Sequence, residues 1–113
     1  MTPEVSVVVP TYNRAAFIQA SVASLLAQAG VSFEVVVVDD GSTDDTRARL
    51  GAMRDARLRV VPVAHGGVGA ARNAGVAVAT GRYVAFHDSD DEALPGRLSR
   101  PVAVWQGGRA VSA

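Results

Sequence analysis

Phe33-Glu34-Val35-Val36-Val37-Val38, running directly into Asp39-Asp40-Gly41-Ser42-Thr43, sets the architecture of this chain. The run is β-branched, apolar almost throughout and too short for a helix. Those properties describe a strand covered on both faces, as in a parallel sheet. The loop after it is acidic and ends in helix-starting residues. Ser42 or Thr43 suits an N-cap, and Asp44 and Asp45 suit the positive end of the helix that follows. That helix is short and polar and is expected to end near Arg54.

Upstream, Val5-Ser6-Val7-Val8-Val9-Pro10 has the same character. Pro10 closes it, Thr11-Tyr12-Asn13-Arg14 makes a polar turn, and Phe17, Ile18, Val22, Leu25, Leu26 and Ala29 recur at helical spacing until Gly30. Downstream, Leu58-Arg59-Val60-Val61-Pro62-Val63 is a third strand whose proline suits a sheet edge. Ala64-His65-Gly66-Gly67 is its loop. Val68 to Ala79 is an Ala-rich helix with Gly75 inside it, a residue that costs helix stability and so signals close approach of helix to sheet. Tyr83-Val84-Ala85-Phe86 is the fourth strand, and it runs into His87-Asp88-Ser89-Asp90-Asp91.

Strands alternating with helices imply an α/β fold: an open three-layer sandwich with a mainly parallel sheet and right-handed crossovers. Short connections carry the first three strands outward, so the fourth returns to the free side of the first. The expected order is 3-2-1-4. The gap between the first and fourth strands is then the topological switch point, where ligands bind outside the carboxyl ends of the strands. Tyr12, Asp39, Asp40 and Asp88 to Asp91 all fall at those ends.

Composition narrows the chemistry. At 113 residues, 49% hydrophobic and 19% charged, the chain reads as one globular domain and not a disordered one. Its formal net charge of zero removes the electrostatic basis for nucleic-acid binding. There is no cysteine, hence no disulfide or thiolate metal site. The eleven basic residues are all arginine, which excludes any lysine-dependent mechanism. No apolar run approaches the ~20 residues that span a bilayer, and no basic-then-apolar leader opens the chain. The expectation is a cytoplasmic protein without a transmembrane segment.

Three carboxylates within four residues, Asp88, Asp90 and Asp91, repel one another unless a cation lies among them. With neither thiolate nor lysine nearby, a hard ion such as Mg²⁺ or Mn²⁺ fits, and such ions take part of their shell from substrate phosphates. Other residues read two ways at this stage. Arg72 either meets a phosphate or is simply exposed. Tyr12 either stacks on a flat base or packs as a half-buried ring. Asp40 either bonds a base or ribose or serves as the residue before the Gly41 turn. His65 and His87 read as packed or solvent-facing residues, not as ligands.

Four stretches in order, Pro10-Thr11-Tyr12-Asn13-Arg14, Val38-Asp39-Asp40-Gly41-Ser42-Thr43-Asp44, Gly69-Ala70-Ala71-Arg72-Asn73-Ala74-Gly75 and Asp88-Ser89-Asp90-Asp91, resemble the signatures of the family 2 glycosyltransferases of GT-A fold. The resemblance covers about residues 4 to 100. It implies a GT-A nucleotide-sugar-binding domain over residues 1–100 and an irregular tail over 101–113. It further implies that Pro10, Thr11 and Tyr12 line a nucleoside pocket and that Asp40 contacts the base with Asp39 beside it. Arg72 would approach the diphosphate, Asp88 and Ser89 would belong to the donor-binding set, and Asp88, Asp90 and Asp91 would hold Mn²⁺ or Mg²⁺. The implied partner is a nucleotide-diphospho-sugar. Family members continue for another half that supplies the acceptor site and a carboxylate base, whereas after Asp91 the only acid here is Glu92. The chain therefore reads as a truncated donor half, completed by a second half or by self-association. The alternative is a non-catalytic nucleotide-binding or interaction module. A phosphatase reading of Asp88-Ser89-Asp90 lacks its lysine, and a dinucleotide reading of Gly67-Val68-Gly69 lacks its third glycine, with Arg72 in that place.

Overall fold

A computed structural model describes residues 2–98; the tail expected over 101–113 lies outside the described residues. Among the described residues seven elements alternate: β1 (Val5–Thr11), α1 (Ile18–Leu26), β2 (Phe33–Asp40), α2 (Thr46–Gly51), β3 (Leu58–Val63), α3 (Val68–Val78) and β4 (Tyr83–Phe86). The four strands are all parallel and stand in the order β3-β2-β1-β4, as the connection lengths predict. β3 is an edge strand, and its Pro62 stands opposite Asp39.

The two valine-rich strands lie at the centre and are covered on both faces. Successive side chains point to opposite sides of a sheet. Val5, Val7, Val9, Phe33, Val35 and Val37 thus pack with Ile18, Val22 and Leu25 of α1 and Leu50 of α2. Val8, Val36 and Val38 pack with Ala71 of α3, joined by Val84 and Phe86. Gly75 explains how α3 lies so close. A Cβ added there would overlap the Val8 side chain and come within 3.1 Å of Val38 Cγ2.

Two local expectations are corrected. α1 stops at Leu26 and Ala27 closes it, one turn before the glycine at position 30. α2 begins at Thr46 and ends at Gly51, and neither Ser42 nor Thr43 caps it. Asp44 accepts the Thr46 N–H and hydroxyl instead. Ser42 and Thr43 are turned toward the preceding loop, where Asn13 competes for them. The Asn13 N–H donates to Ser42 Oγ at 3.0 Å, and Asn13 Oδ1 accepts from the N–H groups of Thr43 (2.8 Å) and Asp44 (3.3 Å). Asn13 makes this latch in the left-handed region, at φ 51°, which asparagine tolerates better than most residues.

Candidate functional site

The carboxyl ends of β1, β2 and β4 open onto one crevice of about 400 Å³. Its lining includes Pro10, Thr11 and Tyr12 from the end of β1, Asp40 from β2, and Asp88, Ser89 and Asp90 from the loop after β4. The three loops expected at the switch point between β1 and β4 do converge there, and the loop after β3 joins them. Arg14, His65 and Gly67 line the same space and were not singled out from the sequence as site residues.

The alternation of β2 separates its two acids. Asp39 points to the α2 face and is fully buried; it accepts the Ser42 N–H at 3.1 Å and Arg47 Nε at 2.9 Å. Burial works to raise its pKa, but the Ser42 hydrogen bonds and the Arg47 guanidinium outweigh that and leave it below the usual carboxylate value. Asp39 does not line the crevice. Asp40 points to the α3 face, where its two oxygens accept the N–H groups of Gly66 (2.9 Å) and Gly67 (3.0 Å) at the start of α3. Gly67, the N-cap, has no side chain with which to cap that helix, and Asp40 instead fixes the loop that leads into it.

His65 completes this corner. Its Nδ1 lies 3.0 Å from the Asp40 carbonyl oxygen and 3.1 Å from Asp40 Oδ2. Its ring faces that of Tyr12, with centroids 4.2 Å apart and planes tilted by 30°. Gly41 makes the approach of the two main chains feasible: it has φ 72°, and an added Cβ would stand 2.8 Å from the His65 backbone nitrogen. The Tyr12 ring packs on His65 and also lines the crevice.

The acidic loop is held from behind. Ser21 Oγ donates to the Asp88 carbonyl (3.4 Å), Ser24 Oγ accepts the Ala93 N–H (2.7 Å), and Gln28 Nε2 donates to the Leu94 carbonyl (2.9 Å). His87 is buried and its Nε2 lies 3.0 Å from the Asp91 carbonyl, which is the packed role expected of it. In front, Asp88, Asp90 and Asp91 are exposed, and one carboxylate oxygen from each lies within 4.8 Å of the others. Arg72 does not line the crevice. It lies over the Phe86 ring, 5.6 Å from its centroid, in an adjoining hollow of about 810 Å³ that Asp88 and Asp91 also border. Asp88 thus stands between Arg72 and the crevice. Thr11 Oγ1, buried and lining the crevice, is a side-chain polar atom without a hydrogen-bond partner among the described residues.

The profile of glycosyl transferase family 2 matches residues 6–113. Succinoglycan biosynthesis protein ExoO of Rhizobium meliloti (strain 1021) is 48% identical over 101 residues, which are 88% of this chain and 29% of that protein. Residues 1–349 of S. aureus TarS, solved in complex with UDP-GlcNAc, superpose with a TM-score of 0.81 at 39% identity, covering 89% of this chain and 30% of that one. The mannosyltransferase PcManGT from Pyrobaculum calidifontis, solved with GDP-Man and Mn²⁺, gives 0.70 at 34% identity, covering 81% and 29%. The chain thus spans about a third or less of the length of each. The four-stranded parallel sheet in the order 3-2-1-4 is the GT-A arrangement these transferases share over the matched part.

Proposed function

The chain belongs to glycosyl transferase family 2, and on that footing we propose that its crevice binds a nucleotide-diphospho-sugar, as the donor-binding part of an enzyme that transfers the sugar to an acceptor hydroxyl. The observation that carries the reading is the meeting of Tyr12, Asp40 and the Asp88-Ser89-Asp90 turn around one 400 Å³ crevice. A volume of that size suits a small ligand.

Pro10, Thr11 and Tyr12 take the nucleoside end. The orphaned Thr11 hydroxyl gains a partner when a polar ligand enters, which explains a buried group otherwise left unmet. Asp40 accepts from Gly66, Gly67 and His65, and a carboxylate offers about four acceptor positions, so one remains for a donor group of the nucleoside. Asp39 acts from behind the wall by holding the loop that begins at Gly41. Arg72 approaches the diphosphate across Asp88, and Ser89 lies with the phosphates.

Asp88, Asp90 and Asp91 would hold Mn²⁺ or Mg²⁺. Exposed, all-oxygen donors within 4.8 Å of one another suit a hard cation that keeps part of its water. The chemistry such a cation supplies when bound is neutralisation of charge on the diphosphate leaving group. The test is calorimetry of UDP, GDP and TDP sugars with and without Mn²⁺. Metal-dependent binding by the wild type, lost in Asp90→Ala with the thermal midpoint preserved, is the expected result. Absence of nucleotide binding under either condition refutes the assignment.

A further inference from the structure

We infer that His65 is a specificity-determining residue that reads the base of the nucleotide, accepting a hydrogen bond from a ring N–H; this rests on the donor-binding reading above. Both groups near His65 Nδ1 are acceptors, the Asp40 carbonyl at 3.0 Å and the Asp40 carboxylate at 3.1 Å. Two acceptors cannot face a lone pair without repulsion, so Nδ1 carries the hydrogen. In the neutral ring the lone pair then resides on Nε2, which has no partner among the described residues, on a side chain that is 55% exposed and lines the crevice. The two Asp40 acceptors at Nδ1 and the Tyr12 ring at 4.2 Å hold the imidazole in this orientation.

At this corner the crevice offers Asp40 and His65 Nε2 as acceptors and Thr11 Oγ1 as an unpartnered hydroxyl. Uracil, thymine and guanine carry a hydrogen on a ring nitrogen of their pairing edge. Cytosine and adenine carry a lone pair at the corresponding position, which opposes the lone pair of His65 Nε2. The ligand chemistry selected is therefore a nucleoside diphosphate whose base presents a ring N–H.

The two ring nitrogens can be separated by substitution. Asparagine places its amide nitrogen where Nδ1 stands and so keeps a donor for Asp40, but it has nothing at the position of Nε2. Calorimetry at pH 8 with Mn²⁺ would compare UDP with CDP and GDP with ADP in the wild type, His65→Asn and His65→Phe. The wild type is expected to favour the ring N–H member of at least one pair by about tenfold or more, and both variants to narrow that ratio several-fold, as for loss of one hydrogen bond. A purely structural role would weaken both members alike and leave the ratio unmoved; that outcome overturns the inference. Equal affinity within both pairs in the wild type also overturns it while leaving the donor-binding reading intact. Failure of the wild type to bind any nucleotide sinks both.

Discussion

Asp39 and Asp40 are identical neighbours that the pleat assigns to different faces and different tasks. Asp39 braces the loop before α2, whereas Asp40 both fixes the loop before α3 and lines the crevice. Asp40→Ala removes the acceptor for two N–H groups at once and is expected to destabilise the fold by about 1–3 kcal/mol, measured by urea titration. Asp90, exposed and at the front of its loop, should cost less than about 0.5 kcal/mol on replacement by alanine in the same titration, because no packing depends on it. The separate duties of the two acids were readable in principle from the period of two along Val35 to Asp40. His65 was not, because its role depends on a ring contact with Tyr12 across more than fifty positions, which no local pattern records.

At the scale of elements, the loops after β1 and β2 are one unit, latched by Asn13. Asn13→Ala should cost about 1–3 kcal/mol, and Asn13→Gly less, since both lose the bonds to Asn13 Oδ1 and keep the main-chain bond to Ser42, but only alanine adds strain at φ 51°. The seating of α3 gives a second prediction. Gly75→Ala gains up to about 1 kcal/mol of helix propensity, yet overlap with the buried and stiff Val8 side chain costs about 1–3 kcal/mol. Packing therefore wins, and a lowered urea midpoint is expected. Gly75 announced that close approach in the sequence, as did the run lengths that fixed the strand order. The start of α2 was misread because Ser42 and Thr43 are good local caps, and a residue thirty positions away, Asn13, takes them first.

For the whole molecule, the depressed carboxylates set the response to acid. Glu34 lies half-buried at the opposite end of the sheet from the crevice. Burial works to raise its pKa, but hydrogen bonds from Ser6 and Thr80 and the charge of Arg59 prevail and bring it below the usual glutamate value. Asp39 is lowered in the same sense. A carboxylate with a depressed folded-state pKa contributes stability that is present above its unfolded value and is lost as pH falls through the folded one. The thermal midpoint should thus hold down to about pH 5 and decline below about pH 4.5. Glu34→Gln should lower the midpoint at neutral pH and flatten that acid decline. Among the described residues no helix is long and apolar enough to cross a membrane. The switch point itself was legible from connection lengths, because β1 and β2 are apolar enough to demand cover on both faces and only β4 could then fill the other side of β1.

The three anchors behind the acidic loop, Ser21, Ser24 and Gln28, recur along one side of α1 and the turn after it. Their consequence is entropic. A loop whose main chain is already fastened at Asp88, Ala93 and Leu94 has little freedom left to surrender when a ligand arrives, so the ordering cost of association falls mainly on the exposed carboxylate rotamers.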